Sequence, residues 1–221
     1  MMVGESAKRV AFISSYTPRK CGIATFTSDL IASMKLASER EFEPAVIAMD
    51  SGPGLRYDKL VELNIRKDFK SDYASAADYI NLSDIDVVSL QHEFGLFGGK
   101  GGSHLSFFLE RLKRPLITTL HTVLEKPTIE YFNSLIDVCE TSEKVIVMNS
   151  RGIKMLRDIY GVPEGKIKLI PHGIPDSPFV DSDCYKHKLG ITGRKTILTF
   201  GLLILQRNIV IPHAVHKISI D

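Results

Sequence analysis

Polar and charged residues follow three short apolar segments of the chain, and these are the residues whose types and spacing could do chemistry. The first segment leads into Arg19, Lys20 and Gly22, directly before a stretch with helical spacing. A cationic loop that leads into a helix N-terminus favours an anion such as phosphate, and a glycine lets the backbone approach that anion closely. An ordinary turn with solvated arginine and lysine is the alternative interpretation.

The second chemical segment is His92-Glu93, which precedes glycines at positions 95, 98, 99, 101 and 102. Two polar side chains before a glycine-rich stretch favour a mobile loop that wraps a ligand, and a plain surface loop is the alternative. The segment is not a Walker A loop, because Gly101 stands where that motif needs Ser or Thr. It is not a zincin motif, because Leu96 stands where a second histidine is needed, and it lacks the Gly-x-Gly-x-x-Gly spacing of a dinucleotide site.

The third chemical segment is His121-Thr122. A histidine at the end of a strand can hydrogen-bond a sugar hydroxyl or polarise a leaving group, although many histidines are merely structural. Two further residues are interpreted as structural: Asn149 as a helix cap and His172 as part of a hinge.

Alternating elements must position these three segments. Buried strands are predicted over 9–15, 44–49, 61–66, 86–90, 115–120, 144–148 and 166–170. Helices are predicted over 24–37, 71–81, 103–113, 128–139 and up to Tyr160 from a cap at Asn149 or Ser150, with Gly161 ending the last one. This alternation predicts an α/β fold with a doubly wound parallel sheet. Ligands of such sheets bind at the carboxyl ends of the strands, where all three chemical segments begin.

Composition excludes several classes of protein. The chain has 221 residues and a net charge of +2 from 28 basic and 26 acidic residues, without a basic block, which argues against a dedicated nucleic-acid binder. No segment approaches the roughly 18 apolar residues of a membrane span, and the polar N-terminus lacks the apolar core of a signal peptide. Three widely spaced cysteines predict neither a disulfide framework nor a zinc site. We therefore expect a cytoplasmic protein.

The regular alternation of predicted strands and helices ends after the seventh predicted strand. Residues 171–178 contain three prolines. We predict a short helix over 184–190 and a further buried strand over 195–201. Only 20 residues follow, too few for a second α/β domain. We therefore expect a Rossmann-like domain over 1–173, a linker over 174–194, the first strand of an incomplete second domain over 195–203 and a non-native tail over 204–221.

Several segments together resemble glycosyltransferase family four, the large retaining class with the two-domain GT-B architecture. The segments are Thr-Pro-Arg-Lys-Cys-Gly-Ile-Ala-Thr-Phe (17–26), Leu-Gln-His-Glu-Phe-Gly-Leu-Phe-Gly-Gly (90–99), Thr-Thr-Leu-His-Thr-Val-Leu (118–124), Pro-His-Gly (171–173) and Leu-Thr-Phe-Gly-Leu-Leu (198–203). The likeness extends over about residues 8 to 203.

The resemblance implies an N-terminal domain that mainly holds the acceptor, with a C-terminal domain that holds most of the nucleotide sugar. It implies a nucleoside diphosphate sugar as donor, no metal and no further cofactor. The resemblance places Gly22 in a loop near the donor phosphates, with Arg19 and Lys20 as its cations, and His121 as the catalytic residue near the transferred sugar. The residues that it places at the acceptor or sugar cleft are His92, Glu93, Gly98, Gly99 and Thr122. A carbohydrate or lipid-linked acceptor is implied, and peripheral membrane contact is left open.

The sequence departs from the family after Leu203. The family continues with a Ser-Pro-x-Lys-like turn, whereas Ile204-Leu-Gln-Arg-Asn follows here. Synonymous codons for these residues, read two bases later, encode Ser-Pro-Lys-Lys, so a frameshift is one hypothesis for the tail. An N-terminal half of this kind is expected to be inactive alone. The alternatives are a stand-alone carbohydrate- or acceptor-binding module, a GT-B-like epimerase or phosphorylase, and a non-functional remnant.

Overall fold

A computed structural model describes residues 8–38, 42–50, 55–174 and 177–196. The chain divides into two compact units, 1–174 and 175–221. Most of the predicted strand at 195–203 and all of the predicted tail at 204–221 lie outside the described residues. Residues 195 and 196 are described and belong to no strand or helix.

The first unit is built on one parallel sheet of seven strands in the order β3-β2-β1-β4-β5-β6-β7. The strands are β1 (Lys8–Ser14), β2 (Phe42–Asp50), β3 (Val61–Arg66), β4 (Val87–His92), β5 (Leu116–Leu120), β6 (Lys144–Val147) and β7 (Ile167–Leu169). The chain starts in the middle of the sheet, adds two strands on one side and then four on the other. This order confirms the predicted doubly wound α/β fold, and it puts the reversal of strand order between β1 and β4.

Helices cover both faces of the sheet. They are α1 (Gly22–Ala37), α2 (Lys70–Leu82), α3 (Ser106–Leu109), α4 (Ile129–Thr141) and α5 (Ser150–Asp158). A further helix, α6 (Ser182–Lys188), belongs to the second unit. Alternate residues of β1 point to opposite faces of the sheet and therefore belong to two different hydrophobic cores. Ala11 and Ile13 join the core with α2 to α5, whereas Val10 and Phe12 join the core with Ile31 of α1. Within the described residues no helix is long and apolar enough to cross a membrane.

The helix predicted over 103–113 was wrong in extent. The chain instead forms a 3₁₀ segment over Lys100–Leu105 and a single α-helical turn over Ser106–Leu109. Gly101 and Gly102 have φ of 64° and 81°, a left-handed conformation that cannot start a regular helix. The predicted short helix at 184–190 begins two residues earlier, where the Asp181 side chain accepts a hydrogen bond from the Asp183 N–H.

The predicted cap of α5 is present. The Asn149 side chain accepts a hydrogen bond of 2.9 Å from the Gly152 N–H, and Gly161 ends the following turn with φ of 67°. We expect Asn149→Ala to lower the free energy of unfolding by about 1 kcal/mol, because that donor loses its partner. Urea unfolding checks this, with Asn149→Ser as the control because serine also caps; an equal loss in both variants would contradict the cap.

Candidate active site at the carboxyl edge of the sheet

The two cationic residues of the loop between β1 and α1, Arg19 and Lys20, have different surroundings. The Arg19 side chain is tied to the end of β2, because Nη1 donates to the Met49 carbonyl at 3.3 Å. Lys20 is exposed, and a Cβ atom added at exposed Gly22 would meet no atom within 4 Å. Among the described residues, the Lys20 side chain therefore has no ion-pair partner, and there is open space beside Gly22.

The N-terminus of α1 is open for an anion. Its N-cap residue, Cys21, makes no capping hydrogen bond through its side chain, and the first turn has no acidic residue. The cysteine Sγ instead lies 3.1 Å from the Ser15 Oγ. Helix α1 has 16 residues, so its first N–H groups carry the positive end of a full helix dipole.

His121 stands directly after β5 and is held on three sides. Its backbone N–H donates to the His92 carbonyl at 3.0 Å, which extends the pairing of β4 and β5. Its ring Nε2 lies 3.0 Å from Oε1 of buried Gln91, and its ring meets Phe26 of α1 edge to face at 4.9 Å. Burial, with a further contribution from His172, lowers the pKa of His121 to about 4. The ring is therefore neutral at pH 7.

A second polar pair lies beside His121. The Thr122 hydroxyl donates to the Glu93 carboxylate at 2.5 Å, and both side chains are half-buried. These two residues follow β5 and β4, so the register of neighbouring parallel strands brings them together. The structure thus assembles three predicted site residues at one point of the sheet edge.

His92 occupies a different place from the others. Its side chain is fully buried, stacks on Phe97 at 5.7 Å and meets Phe94 edge to face at 4.9 Å. Neither ring nitrogen has a hydrogen-bond partner among the described residues. Burial lowers the pKa of His92 to about 3, so the ring is neutral. Its predicted place at the cleft remains a prediction, and in this conformation the ring lies inside the core.

The glycine-rich loop is closely packed at Gly98. Gly98 is buried, and a Cβ there would lie 2.1 Å from the Lys67 carbonyl oxygen. The Gly98 N–H donates to the Tyr73 hydroxyl at 2.9 Å, and that hydroxyl donates to the same carbonyl at 2.8 Å. Gly99 is exposed with φ of 77°, above the Ser103 and His104 side chains. These glycines allow close backbone packing. Their place at the acceptor or sugar cleft stays a prediction.

A groove of about 380 Å³ continues from His121 and Thr122 between the loops after β5 and β6. Arg151 and Glu125 form an ion pair of 2.7 Å at exposed positions along it. The capping residue Asn149 also lines the groove.

Three residues near His121 were not among the site residues predicted from the sequence: Phe26, Gln91 and His172. The His172 ring packs against the Phe26 ring, with 5.1 Å between the two ring centres. One feature of the sequence could have indicated Gln91, because it is a polar residue near the end of a mostly apolar strand. Phe26 carried none, because an aromatic residue in the first turns of a helix is normally part of the core.

A parallel sheet whose polar residues gather at the carboxyl ends of the strands near the reversal point is the arrangement of a Rossmann-like ligand-binding domain. The family model of Glycosyltransferase Family 4 matches residues 22–177, more than half of the chain, and the chain belongs to this family.

A similar solved structure supports the fold. A glycosyltransferase from Rickettsia africae ESF-5 superposes with a TM-score of 0.57 at 15% sequence identity, over 86% of this chain and 51% of that one. An alpha-glucosyltransferase in complex with UDP and a mismatched 13-mer DNA gives a TM-score of 0.45 at 10% identity, over 66% and 38% of the two chains. No curated protein matches the sequence. The chain spans about half the length of the Rickettsia enzyme.

Proposed function

We propose that this chain is the mainly acceptor-binding half of a retaining glycosyltransferase that moves a sugar from a nucleoside diphosphate sugar to a carbohydrate or lipid-linked acceptor. The observation that carries the proposal is the polar cluster of His121, Thr122 and Glu93, which lies against α1 at the carboxyl edge of a family-four domain. No cofactor besides the donor substrate is part of the proposal.

The open N-terminus of α1 would face the donor phosphates. A departing nucleoside diphosphate gains negative charge, and preorganised N–H groups stabilise that charge. Lys20 is exposed, so its side chain can adjust its position to contact the phosphates. The Arg19 side chain is hydrogen-bonded to the Met49 carbonyl and contributes its charge from a fixed position. Gly22 keeps the approach clear, because no atom lies near its missing side chain.

His121 would position the sugar rather than act as a permanent cation. A neutral imidazole has one donor and one acceptor nitrogen, which suits a hydrogen bond with a sugar hydroxyl. A pKa of about 4 leaves too little protonated ring at pH 7 for it to balance a phosphate charge. The Glu93–Thr122 pair supplies further hydrogen-bonding groups next to it.

Ligand binding and turnover together test this function. Residues 1–221 are expected to bind nucleotide sugars or glycosides, with negligible transfer when acceptors and UDP- or GDP-sugars are mixed with them. His121→Ala should weaken binding by about tenfold, the loss of one hydrogen bond of roughly 1.4 kcal/mol. Calorimetric titration measures the affinity, and His187→Ala on exposed helix α6 is the control.

The outcomes separate the alternatives. Turnover of a nucleotide sugar by the purified chain would refute the proposed dependence on a second domain. Binding of glycosides without any affinity for a nucleotide would favour the stand-alone binding module. Binding that His121→Ala leaves unchanged would move the site away from the carboxyl edge of β5.

A further inference from the structure

A fully buried glutamine lies behind the site histidine. Gln91 belongs to β4, and its side chain has no exposed surface. Its amide Nε2 donates to the Ser89 hydroxyl at 3.3 Å, and its Oε1 lies 3.0 Å from Nε2 of His121. A buried amide group is costly unless it is hydrogen-bonded, and in this orientation both ends of the amide have a partner.

The identity of the two atoms decides where the histidine proton sits. An amide oxygen carries no hydrogen and can only accept, so Nε2 of His121 must donate. A neutral imidazole has a single N–H, which leaves the lone pair on Nδ1. Within the described residues Nδ1 has no hydrogen-bond partner, and it is not among the buried atoms that lack one. It is therefore open to a ligand.

We propose that Gln91 is a positioning residue that fixes His121 as the Nε2–H tautomer and so presents Nδ1 as a hydrogen-bond acceptor at the carboxyl edge of the sheet. The inference rests on the proposed function only in naming the ligand group, a sugar hydroxyl. The tautomer itself follows from the contacts of β4 and β5.

Other contacts keep the ring in this orientation and neutral. The Phe26 ring meets the imidazole edge to face, and the backbone N–H of His121 is bonded to the His92 carbonyl. Among the described residues, the titratable groups that interact with the ring are His92, which is buried and neutral, and His172. The carboxylate of nearby Glu93 is bonded to the Thr122 hydroxyl. Gln91 can thus set the tautomer through hydrogen bonding alone.

The first test needs no variant. Long-range ¹H–¹⁵N spectra of the 221-residue chain, labelled at histidine and recorded at pH 7.5, distinguish the two neutral tautomers. We expect the His121 signals, assigned by their absence in His121→Asn, to report the Nε2–H form. A spectrum of the Nδ1–H form, or of an even mixture, would overturn the proposal.

Two variants separate positioning from simple support of the fold. Gln91→Met removes the acceptor and should give a measurable population of the Nδ1–H form. Gln91→Glu keeps an acceptor, should retain the Nε2–H form, and should raise the pKa of His121 by about 1 or more because a carboxylate replaces the amide. An unchanged tautomer in Gln91→Met, or an unchanged pKa in Gln91→Glu, would contradict the proposed role.

Thr118→Val is the matched control. It removes a buried side-chain hydrogen bond of 2.7 Å between Thr118 and Ser142, one strand away from Gln91. Its cost in stability should be similar, and the His121 signals should stay as in the wild type. None of these spectra requires a bound ligand, so the tautomer can be established even if the proposed function fails.

Discussion

Replacing Gly98 with alanine should lower the free energy of unfolding by about 3 kcal/mol or more, the upper range for forcing an atom into a packed core. The added Cβ would lie 2.1 Å from the Lys67 carbonyl oxygen and 2.4 Å from Nδ1 of His104. The carbonyl is backbone and cannot turn aside. It also accepts the Tyr73 hydroxyl bond, so moving it breaks the contact that seats the loop. Urea unfolding of the 221-residue chain measures the loss.

Gly95→Ala is the matched control for Gly98→Ala. Gly95 lies in the same loop, and a Cβ there would meet nothing within 4 Å. The control should therefore change the free energy of unfolding by less than about 1 kcal/mol. Equal stabilities of the two variants would mean that the loop is not packed as described and that the glycines serve mobility instead.

The second large effect is the pH dependence created by His92. An unfolded chain protonates this ring near pH 6.5, whereas burial lowers the pKa in the folded protein to about 3. The unfolded state therefore binds more protons below pH 6.5, and stability is lost as the pH falls from there toward 3. Between pH 7 and pH 5 the loss from this residue is about 2 kcal/mol. His121, whose pKa is also lowered, adds a loss in the same direction.

His92→Phe should remove about 2 kcal/mol of that dependence. Phenylalanine keeps a flat ring between Phe94 and Phe97 and has no nitrogen to protonate. Denaturant unfolding at pH 7 and pH 5 gives the difference for each protein, so a constant packing cost cancels. His187→Phe, at an exposed position, should keep the dependence of the wild type. A wild-type dependence in His92→Phe would show that the ring reaches water, as a cleft residue would.

Much of the fold could be predicted from the sequence because its determinants are local. The apolar runs at β1, β2 and β4 are buried on both faces, and the period of α1 and α4 is helical, so pattern alone places them. The segment after β4 could not be predicted in this way. Gly98 and Gly101 have no room for a side chain because distant backbone, at Lys67 and Glu130, lies against them. A sequence shows the glycine and not the neighbour that requires it.

The candidate site also contains residues that could be predicted from the sequence and residues that could not. His121, Thr122 and Glu93 could be chosen because strand ends of a parallel sheet meet at one edge. Whether a side chain at that edge points outward depends on its face of the strand. His92 and Gln91 are adjacent in sequence, yet the first ring enters the core beside Phe97 and the second side chain reaches His121. That distinction required the register of β4 and β5.

Mapping where ligands bind on the chain tests the proposed site at the carboxyl edge of the sheet. Isotope-labelled chain is titrated with UDP, GDP, their common sugar conjugates and simple methyl glycosides, and amide shifts are followed by NMR. We expect saturable shifts concentrated at Gly22, Glu93, His121 and Thr122. Saturable shifts centred on α6 or on the far ends of the strands, with these four residues unmoved, would contradict the proposed site.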